Sequence, residues 1–532
     1  MGICIKDATI IDGTGKGRYK GSIYIEGERI KQIIIGEPAL NEKVEIIEGT
    51  GLICAPGFID THSHSDLVVL SSPQLLPKLE QGITTEVLGQ DGISMAPLPL
   101  KYIAPWQKNI AGLDGKDESL DWQYETTANY LRCIEAAEPA LNETYLLPHG
   151  NVRMQAMGLD DRPPTKQELE KMCDIVREEM ENGCYGLSSG LIYMPCAYAG
   201  AEELIALCKI VSAYKGVFVV HQRSEADDIL ESMDEIIKIG KASGVNVHFS
   251  HFKVCGKSNW GKLEAMLRKL DEAKKEGVNV SFDQYPYVAG STMLGVILPP
   301  WVHDGGTEEL VKRLQDKALR KKIKEDIEKG IPGWDNFIQF AGTEGIFITS
   351  VESQENQDVV GLSLDGLGKK RGKEALEAAF DLLLEENNAV GMVDFYGIEE
   401  HVKTIMSRPE MNVCTDGLLS GKPHPRVYGA FPRVLSKYVR QEKVLTLEEA
   451  IYKMTGKAAQ AIGIKERGII KEGYYADLVL FDFETVKDKG TFQNPKQTPE
   501  GIVYVIVNGK LAIKKGIPTQ IRGGHVLRKG KG

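Results

Sequence analysis

The sequence lacks any apolar run that approaches the roughly 18 residues needed for a membrane-spanning helix. It also lacks a basic excess, because 64 Lys and Arg residues stand against 75 Asp and Glu residues, for a formal net charge of −11. An acidic balance of this kind argues against general binding of nucleic acids or of anionic membranes. We therefore expect no nucleic-acid partner and no membrane partner.

The cysteines give no sign of a disulfide framework. The nine cysteines are an odd number, are scattered along the chain and form no Cys-x-x-Cys motif, which indicates reduced thiols. Lys6 and Asp7 interrupt the apolar residues near the N-terminus, so no signal peptide is expected. These observations predict a cytoplasmic protein, and they leave open whether it forms a homo-oligomer.

Both ends of the chain have the pattern of short strands punctuated by turns. Ser22 to Glu26 alternates between polar and apolar residues before a turn at Gly27-Glu28. The same pattern returns after Gly463, with a β-rich run at Val503 to Val507 before the turn at Asn508-Gly509. We predict that residues 1–55 and 464–532 combine into one small β-sandwich domain.

The middle of the chain alternates apolar strands with amphipathic helices. A strand at Phe218 to Val220 is followed by a helix at Ile229 to Ser243 and by a second strand at Val245 to Phe249. Repeated units of this kind predict an α/β fold with a parallel sheet, closed here into a (β/α)8 (TIM) barrel over residues 56–463. A stretch rich in Lys, Arg and Glu near Leu310 to Lys329 predicts a helical insertion at about 300–360.

Residues with metal-binding chemistry fall at the ends of these predicted strands. His62 and His64 form a His-x-His pair, whose side chains point the same way in an extended chain and can share one ion. His221 ends one predicted strand, His251 follows the next, and Asp416 follows the last. Because barrel active sites lie at the carboxyl ends of the strands, these five side chains are expected to converge on a metal.

A series of motifs keeps a fixed order along the whole chain. It comprises Pro56 to His64, Glu80 to Thr85, Gly186 to Tyr193, His221 to Glu225, Asp283 to Tyr287, Gly290 to Thr292, Thr415 to Gly417, His424 to Gly429, and Gly473 with Ala476 to Val479. In residues and in order these motifs resemble the amidohydrolase superfamily and, within it, the D-aminoacylase (N-acyl-D-amino-acid deacylase) family. The resemblance implies a metal-dependent barrel with a split β-sandwich.

The resemblance also implies a set of metal ligands. It places them at the histidine pair, two later histidines and a barrel-end aspartate, which are His62, His64, His221, His251 and Asp416. Related D-aminoacylases carry a metal-bridging cysteine in an Asn-Cys-Gly segment, and Asp91 holds that position here. A carboxylate can bridge two ions but binds zinc less tightly than a thiolate. We expect one tightly bound Zn²⁺ at Asp91, His221 and His251, and a second, weaker divalent ion at the remaining ligands stays open.

Asp416 is the expected catalytic residue. A metal of this kind lowers the pKa of water toward about 7, and Asp416 can accept the proton as general base and pass it to the leaving amine. The expected substrate-binding residues are Lys253, Tyr285 and Ser291 by resemblance, Arg223 by its place two residues after His221, and Tyr193 as a pocket-lining aromatic.

The implied activity is hydrolysis of the amide bond of N-acyl-D-amino acids to a carboxylate and a free D-amino acid. The segment Thr292 to Ile297 has no basic residue, so a second substrate carboxylate would be buried unpaired, and neutral side chains are expected to be preferred. One alternative is a cyclic-amide hydrolase like the hydantoinases and dihydroorotases. It is disfavoured because no lysine stands where their carbamylated-lysine bridge would be. The other is a non-catalytic scaffold of the same fold, which the complete ligand set disfavours.

Overall fold

In the computed structural model, which describes residues 2–36, 44–115, 117 and 119–530, strands from both chain ends join in one nine-stranded sheet. The strands are Gly2–Ile10, Tyr19–Glu26, Arg29–Ile34, Val44–Glu48, Ile53–Pro56, Leu478–Phe481, Ile502–Val507, Lys510–Lys514 and Ile517–Pro518. The two ends meet where Leu478–Phe481 pairs antiparallel with Ile53–Pro56. Alternate apolar side chains of this sheet, including Ile5, Ile23 and Leu480, pack into a core of their own.

The sheet therefore combines both chain ends, while the domain boundaries at residues 55 and 464 stay a prediction. The predicted ranges 1–55 and 464–532 also contain residues 1, 37–43, 531 and 532, which lie outside the described residues.

Within the described chain, eight parallel strands close a barrel, which confirms the predicted fold class. They are Phe58–Asp60, Ile83–Leu88, Asn142–Tyr145 continued by Leu147–Pro148, Gly186–Gly190, Val217–His221, Asn246–Phe249, Val280–Gln284 and Met411–Val413. The eighth strand joins the first just beyond the strand ends, where Asp416 N donates to His62 O at 2.8 Å. Closure brings all the carboxyl ends of the strands to one rim.

Helices connect the strands and cover the outside of the barrel. The α-helices are Val68–Ser71, Leu76–Leu79, Ile103–Asp114, Thr127–Ala137, His149–Met157, Lys166–Asn182, Ala201–Ala213, Ile229–Ser243, Leu263–Lys275, Thr307–Gln315, Lys317–Lys329, Phe337–Ala341, Leu364–Arg371, Ala375–Glu385, Glu399–Met406, Arg426–Arg433, Leu447–Met454 and Gly456–Ile462, and Val434–Gln441 is a π-helix. Ile229–Ser243 has the bounds expected from its apolar period and ends at Gly244, whose φ of 72° suits glycine. None of the described helices is long and apolar enough to cross a bilayer.

A long insertion separates the seventh barrel strand from the eighth. It contains an antiparallel sheet of Ala289–Met293, Ile346–Ser350 and Gly391–Phe395. The charged stretch lies in the helices Thr307–Gln315 and Lys317–Lys329, inside the predicted helical insertion at about 300–360. The insertion is longer than that prediction, and its sheet places side chains beside the rim of the barrel.

Candidate active site

Each candidate metal ligand lies at or just beyond the carboxyl end of a barrel strand. His62 and His64 follow the first strand, His221 is the last residue of the fifth, His251 follows the sixth, and Asp416 follows the eighth. All of them are buried. Sequence periodicity could place them because each of these strands is a short run, apolar at half or more of its positions, that ends at its first ligand or up to three residues before it.

Asp91 comes from the turn after the second barrel strand. Gly89, just before it, has a φ of 76° and packs so closely that an added Cβ would lie 2.1 Å from Leu146 O. Asp91, His251 and Asp416 themselves have φ values of 54°, 35° and 48°, in a region that non-glycine residues seldom adopt. Such backbone strain persists at functional sites, where the surrounding structure fixes it.

The ligand atoms of these residues face one another. Asp416 Oδ1 lies 3.3 Å from His64 Nε2 and 3.7 Å from His62 Nε2. Asp91 Oδ2 lies 3.6 Å from both His62 Nε2 and His64 Nε2, while Asp91 Oδ1 lies 3.9 Å from His251 Nε2. One oxygen of Asp91 therefore faces the His62–His64 pair and the other faces His251, as a bridging carboxylate would.

These spacings suit a metal better than direct hydrogen bonds. Among the described residues, both ring nitrogens of His62 and of His221, and Asp91 Oδ1, are buried without a hydrogen-bond partner. Ligand atoms around one tetrahedral zinc, with bonds of about 2.0–2.1 Å, lie about 3.3 Å apart. Imidazole and carboxylate are ligands that zinc accepts, so the residues fit the ion. His221, His251 and Glu225 form a further close set of possible ligand atoms.

The protonation preferences of the site match an anionic centre that attracts a cation. Burial would raise the pKa of Asp416, but Arg426, with Nη1 at 2.8 Å from Asp416 Oδ2, and His62 hold it well below its ordinary value. Burial opposes protonation of His64, yet the facing carboxylates of Asp416 and Asp91 raise its pKa to about 9. Burial lowers the pKa of His221 to about 3, which keeps the imidazole neutral, the form that binds a metal.

Buried carboxylates behind the histidines hold the rings in place. Asp283 Oδ2 lies 3.7 Å from His62 Nδ1, and Asp283 Oδ1 accepts a hydrogen bond from His251 N at 2.5 Å. Glu225 Oε1 lies 3.1 Å from His251 Nδ1, and Lys253 Nζ lies 2.7 Å from the same nitrogen. These contacts leave the Nε2 atoms of both rings directed at the carboxylates, as carboxylate–histidine–metal arrangements require.

A cavity of about 470 Å³ opens beside this centre. Of the residues expected to bind substrate, Tyr193, Lys253, Tyr285 and Ser291 line it. Tyr285 OH accepts a hydrogen bond from Tyr396 OH at 2.9 Å, so its own proton is free to point into the cavity. Ser291 lies on the wall, but its hydroxyl donates to Met392 O at 2.8 Å and offers only lone pairs to a substrate carboxylate.

Arg223 does not join these residues, and its predicted substrate-binding role is corrected here. Its Nε lies 3.0 Å from Glu235 Oε2, and its Nη1 and Nη2 donate at 2.8 Å to the carbonyls of Ala197 and Ala199. These guanidinium contacts hold a loop to a helix. Arg223 is not among the residues that line the cavity. Being two residues beyond His221 did not keep it on the same face, because the strand ends at His221.

Two other histidines lie away from the cavity. His149 begins a helix, with Nδ1 at 2.9 Å from Ser189 Oγ and Nε2 at 2.8 Å from Glu203 Oε1. His248 contacts Asp283 Oδ2 through Nε2 at 3.0 Å.

Sequence reasoning did not assign Glu225, Asp283 or Asp394 to the site. Glu225 and Asp283 fall inside motifs of the family resemblance, which was their only available signal. Asp394 lies in a strand of the insertion, far along the chain from the barrel ligands, and nothing in its local sequence marks it.

Comparison with known proteins agrees with this geometry. A model of the "Amidohydrolase family" matches residues 45–330 and 360–513. The chain is 33% identical to a D-aminoacylase of Alcaligenes xylosoxydans xylosoxydans, over 99% of this chain and 97% of the relative. It is similar in structure to an N-acyl-D-glutamate deacylase from Bordetella bronchiseptica, solved with zinc and a phosphonate that mimics the tetrahedral intermediate. The TM-score is 0.84, with 32% identity and 99% of each chain covered. A D-hydantoinase structure shares the fold alone, with a TM-score of 0.56 and 14% identity over 100% of this chain and 99% of that chain.

Proposed function

The chain belongs to the amidohydrolase family, and from this premise we propose that it is a zinc-dependent hydrolase of N-acyl-D-amino acids. It would cleave the amide bond to give a carboxylate and a free D-amino acid. The observation that carries the proposal is the convergence of four imidazoles and two carboxylates at the wall of a cavity, where several of their atoms have no hydrogen-bond partner among the described residues. The near full-length likeness to deacylases supports the choice of reaction.

The ligands for zinc would be His62, His64, His221, His251, Asp91 and Asp416. When bound, zinc supplies a Lewis acid and lowers the pKa of water to about 7. Asp91 faces both halves of the set and would join them, which leaves room for one ion or two.

Asp416 is the general base of the proposed reaction. Its Oδ2 is fixed by Arg426 at 2.8 Å, and the low pKa of the carboxyl keeps it ionised and able to accept a proton. It lines the cavity, so a proton taken there from water can be passed to the leaving amine of a bound substrate.

Lys253 and Tyr285 would hold the α-carboxylate of the substrate. Lys253 Nζ is paired with Glu225 at 2.7 Å, which fixes the ammonium at the cavity wall. Tyr285, whose ring lies 5.8 Å from that ammonium, has a hydroxyl proton free to donate. Tyr193 closes the wall opposite, held by Thr292 at 2.8 Å between the two hydroxyl oxygens.

The cavity also supports a preference for neutral side chains. The two cations near it are already engaged, because Lys253 is assigned to the α-carboxylate and Arg426 is paired with Asp416. Asp394 lines the cavity and is 3% exposed, and its carboxylate has no hydrogen bond to another described residue. Its Oδ1 lies 2.9 Å from where a Cβ of Gly290 would be, so the absence of a side chain at Gly290 uncovers the carboxylate. A substrate with a second carboxylate would meet this charge with no free cation to offset it.

Apolar side chains line a second cavity next to this one. Met293 and Val296, from the segment expected to line the side-chain pocket, line a neighbouring cavity of about 440 Å³ that shares Ile192 and Tyr193 with the first. Leu294, also expected there, is in the lining of neither cavity. The shared wall would let an apolar acyl group or side chain extend from the metal centre toward Met293.

The nine cysteines are all free, and seven of them are buried. Reduced thiols support the proposal that the protein works in the cytoplasm.

One panel tests the activity, its stereochemistry and the alternative reaction. Purified zinc-loaded protein is assayed with N-acetyl-D- and N-acetyl-L-methionine, N-acetyl-D-glutamine, N-acetyl-D-glutamate and a cyclic hydantoin. We expect the N-acetyl-D-amino acids to be hydrolysed. The kcat/KM for N-acetyl-D-glutamine should be at least about tenfold above that for N-acetyl-D-glutamate, since juxtaposed like charges cost several kcal/mol. Faster hydrolysis of N-acetyl-L-methionine or of the hydantoin than of N-acetyl-D-methionine would contradict the proposed reaction. Faster hydrolysis of N-acetyl-D-glutamate than of N-acetyl-D-glutamine would contradict the side-chain preference.

A further inference from the structure

Lys78 is a fully buried cation inside the barrel. It lies in the short helix Leu76–Leu79 before the second strand, and its side chain has no exposed area. A lysine is almost never buried without partners, because removing its charge from water is costly. Its surroundings must therefore compensate the ammonium, and they show what the ammonium holds together.

The three protons of the Lys78 ammonium meet three acceptors. Nζ donates to Asp60 Oδ2 at 2.6 Å, to Ser63 Oγ at 2.8 Å and to Thr415 Oγ1 at 2.6 Å. An ammonium has three donors, so its capacity is completely used. The acceptors are neighbours of metal-ligand candidates in the chain, since Ser63 lies between His62 and His64 and Thr415 precedes Asp416.

The same contacts cross the seam where the barrel closes. Asp60 is the last residue of the first strand, and Thr415 follows the eighth. Thr415 donates to Asp60 through its backbone N at 2.8 Å and through Oγ1 at 2.5 Å. Lys78 thus joins a network that ties the strand of the histidine pair to the strand of Asp416.

Two further features fit this placement. Glu86, on the second strand, lies 3.4 Å from Lys78 Nζ and accepts from Ser63 Oγ at 2.6 Å, which extends the network to a third strand. Gly417 leaves room for the ammonium, because a Cβ there would lie 3.2 Å from Lys78 Nζ and 3.0 Å from Thr415 Oγ1. The space that Gly417 leaves is an observation independent of the hydrogen bonds, and it lies beside the same ammonium.

We propose that Lys78 is a positioning residue for the metal centre. It holds the first and eighth barrel strands in the register that brings the His62–His64 pair to 3.3–3.7 Å from Asp416. Without the ammonium, Asp60 and Glu86 are two buried carboxylates with no counter-charge, and their repulsion opens the seam on which the ligand set depends. This inference concerns metal binding and goes beyond the proposed substrate, so the failure of either can be told from the failure of the other.

The test measures zinc affinity of the metal-free full-length chain by competition with a chelating dye, beside its thermal unfolding. Lys78→Met is expected to weaken zinc binding at least tenfold, and Thr415→Val, which removes one acceptor without a change of shape, at least threefold. Cobalt(II) bound to either variant is expected to give an altered visible absorption spectrum, because the ligand geometry changes.

Lys453→Met is the matched control. Lys453 is also buried, 5% exposed, and its ammonium bonds a backbone carbonyl at Arg408, in no contact with a ligand candidate. Lys453→Met should leave zinc affinity within twofold of the native protein, whatever its effect on the unfolding temperature. Zinc affinity and cobalt spectra unchanged in both Lys78→Met and Thr415→Val would overturn the proposal. If Lys78→Met does not fold, Thr415→Val and Gly417→Ala decide by the same two readouts.

Discussion

Asp416 combines two contacts that single-residue changes can separate. One oxygen faces His64 and His62, and the other is held by Arg426. Asp416→Asn keeps the shape and much of the ligand set but cannot accept a proton, so turnover should fall at least about a hundredfold. The measurement is kcat at saturating zinc, with zinc content as the control. Near-native turnover would assign the base elsewhere, and His149 could not replace it because Ser189 and Glu203 occupy its ring nitrogens.

The family resemblance places Asp91 at the position of a metal-bridging cysteine, and Asp91 faces both halves of the ligand set. Asp91→Ala should lower the zinc content of the purified protein, because it removes both of these oxygens at once. Asp91→Cys is the control, because cysteine supplies a soft, tightly binding ligand at the same position. Elemental analysis checks both variants. Normal zinc content and normal rate in Asp91→Ala would exclude a bridging role.

Asp394 gives the discrimination against acidic substrates a dependence on pH. Burial raises its pKa to about 7, with Lys253 and Arg426 opposing that rise and Glu225 adding to it. The carboxyl is therefore neutral at pH 6 and ionised at pH 8, whereas a D-glutamate side chain is ionised at both. The ratio of kcat/KM for N-acetyl-D-glutamine to that for N-acetyl-D-glutamate should rise several-fold from pH 6 to pH 8.

Taking this ratio cancels the titration of groups that both substrates share. The control is Asp394→Asn, which should give a smaller ratio that does not change with pH. Burial also raises the pKa of Asp335 to about 7, and this control separates the two carboxyls. A ratio that keeps rising with pH in Asp394→Asn would assign the effect to Asp335 instead.

The sequence predicted the metal ligands better than it predicted the residues that hold those ligands in place. Each histidine ligand ends or follows an apolar strand, so strand periodicity alone predicts where it lies. Asp283, Glu225 and Lys78 act across strands, at sequence separations that periodicity cannot read. Arg223 shows the opposite error, since proximity in sequence to His221 gave no information once the strand had ended.

Among the elements, the contact between the terminal sheet and the barrel contains a buried ion pair. Arg467 pairs with Asp477, both side chains 3% exposed, and Asp477 also accepts from Asn142 Nδ2, on the third barrel strand, at 3.1 Å. Arg467→Met leaves the Asp477 carboxylate buried without its cation, which should lower the free energy of unfolding by about 3–5 kcal/mol. Urea denaturation measures it.

The exposed pair of Arg18 and Glu448 is the matched control for this change. Arg18 is 44% exposed at its side chain, so Arg18→Met should change the free energy of unfolding by less than about 1 kcal/mol. Equal effects of the two substitutions would show that the sheet does not depend on the buried pair.

The elements that could be predicted are those with a strong local pattern. Barrel strands such as Val217–His221 and Met411–Val413 are largely apolar runs, and the long helices carry a helical apolar period, so these elements are visible in the sequence. The insertion's sheet is not, because Ala289–Met293 is small and polar and its partner Gly391–Phe395 lies about a hundred residues on. That sheet carries Ser291, Thr292 and Asp394 to the cavity, so the substrate side of the site was the less predictable half.

For the whole molecule, the family resemblance and the strand pattern agree on a barrel joined to a sheet built from both chain ends. We propose that the centre at the rim of this barrel binds zinc and that zinc enables the hydrolysis of N-acyl-D-amino acids. Neither the substrate nor the ion follows from the fold alone, because unrelated chemistries share it.

The most direct test is a zinc titration of metal-free protein, its metal content checked by elemental analysis, with N-acetyl-D-methionine as substrate. We predict no measurable hydrolysis without metal, and activity that rises with added zinc to a plateau at one or two ions per chain. Full activity in protein shown to contain no transition metal, unchanged by added zinc, would contradict this prediction.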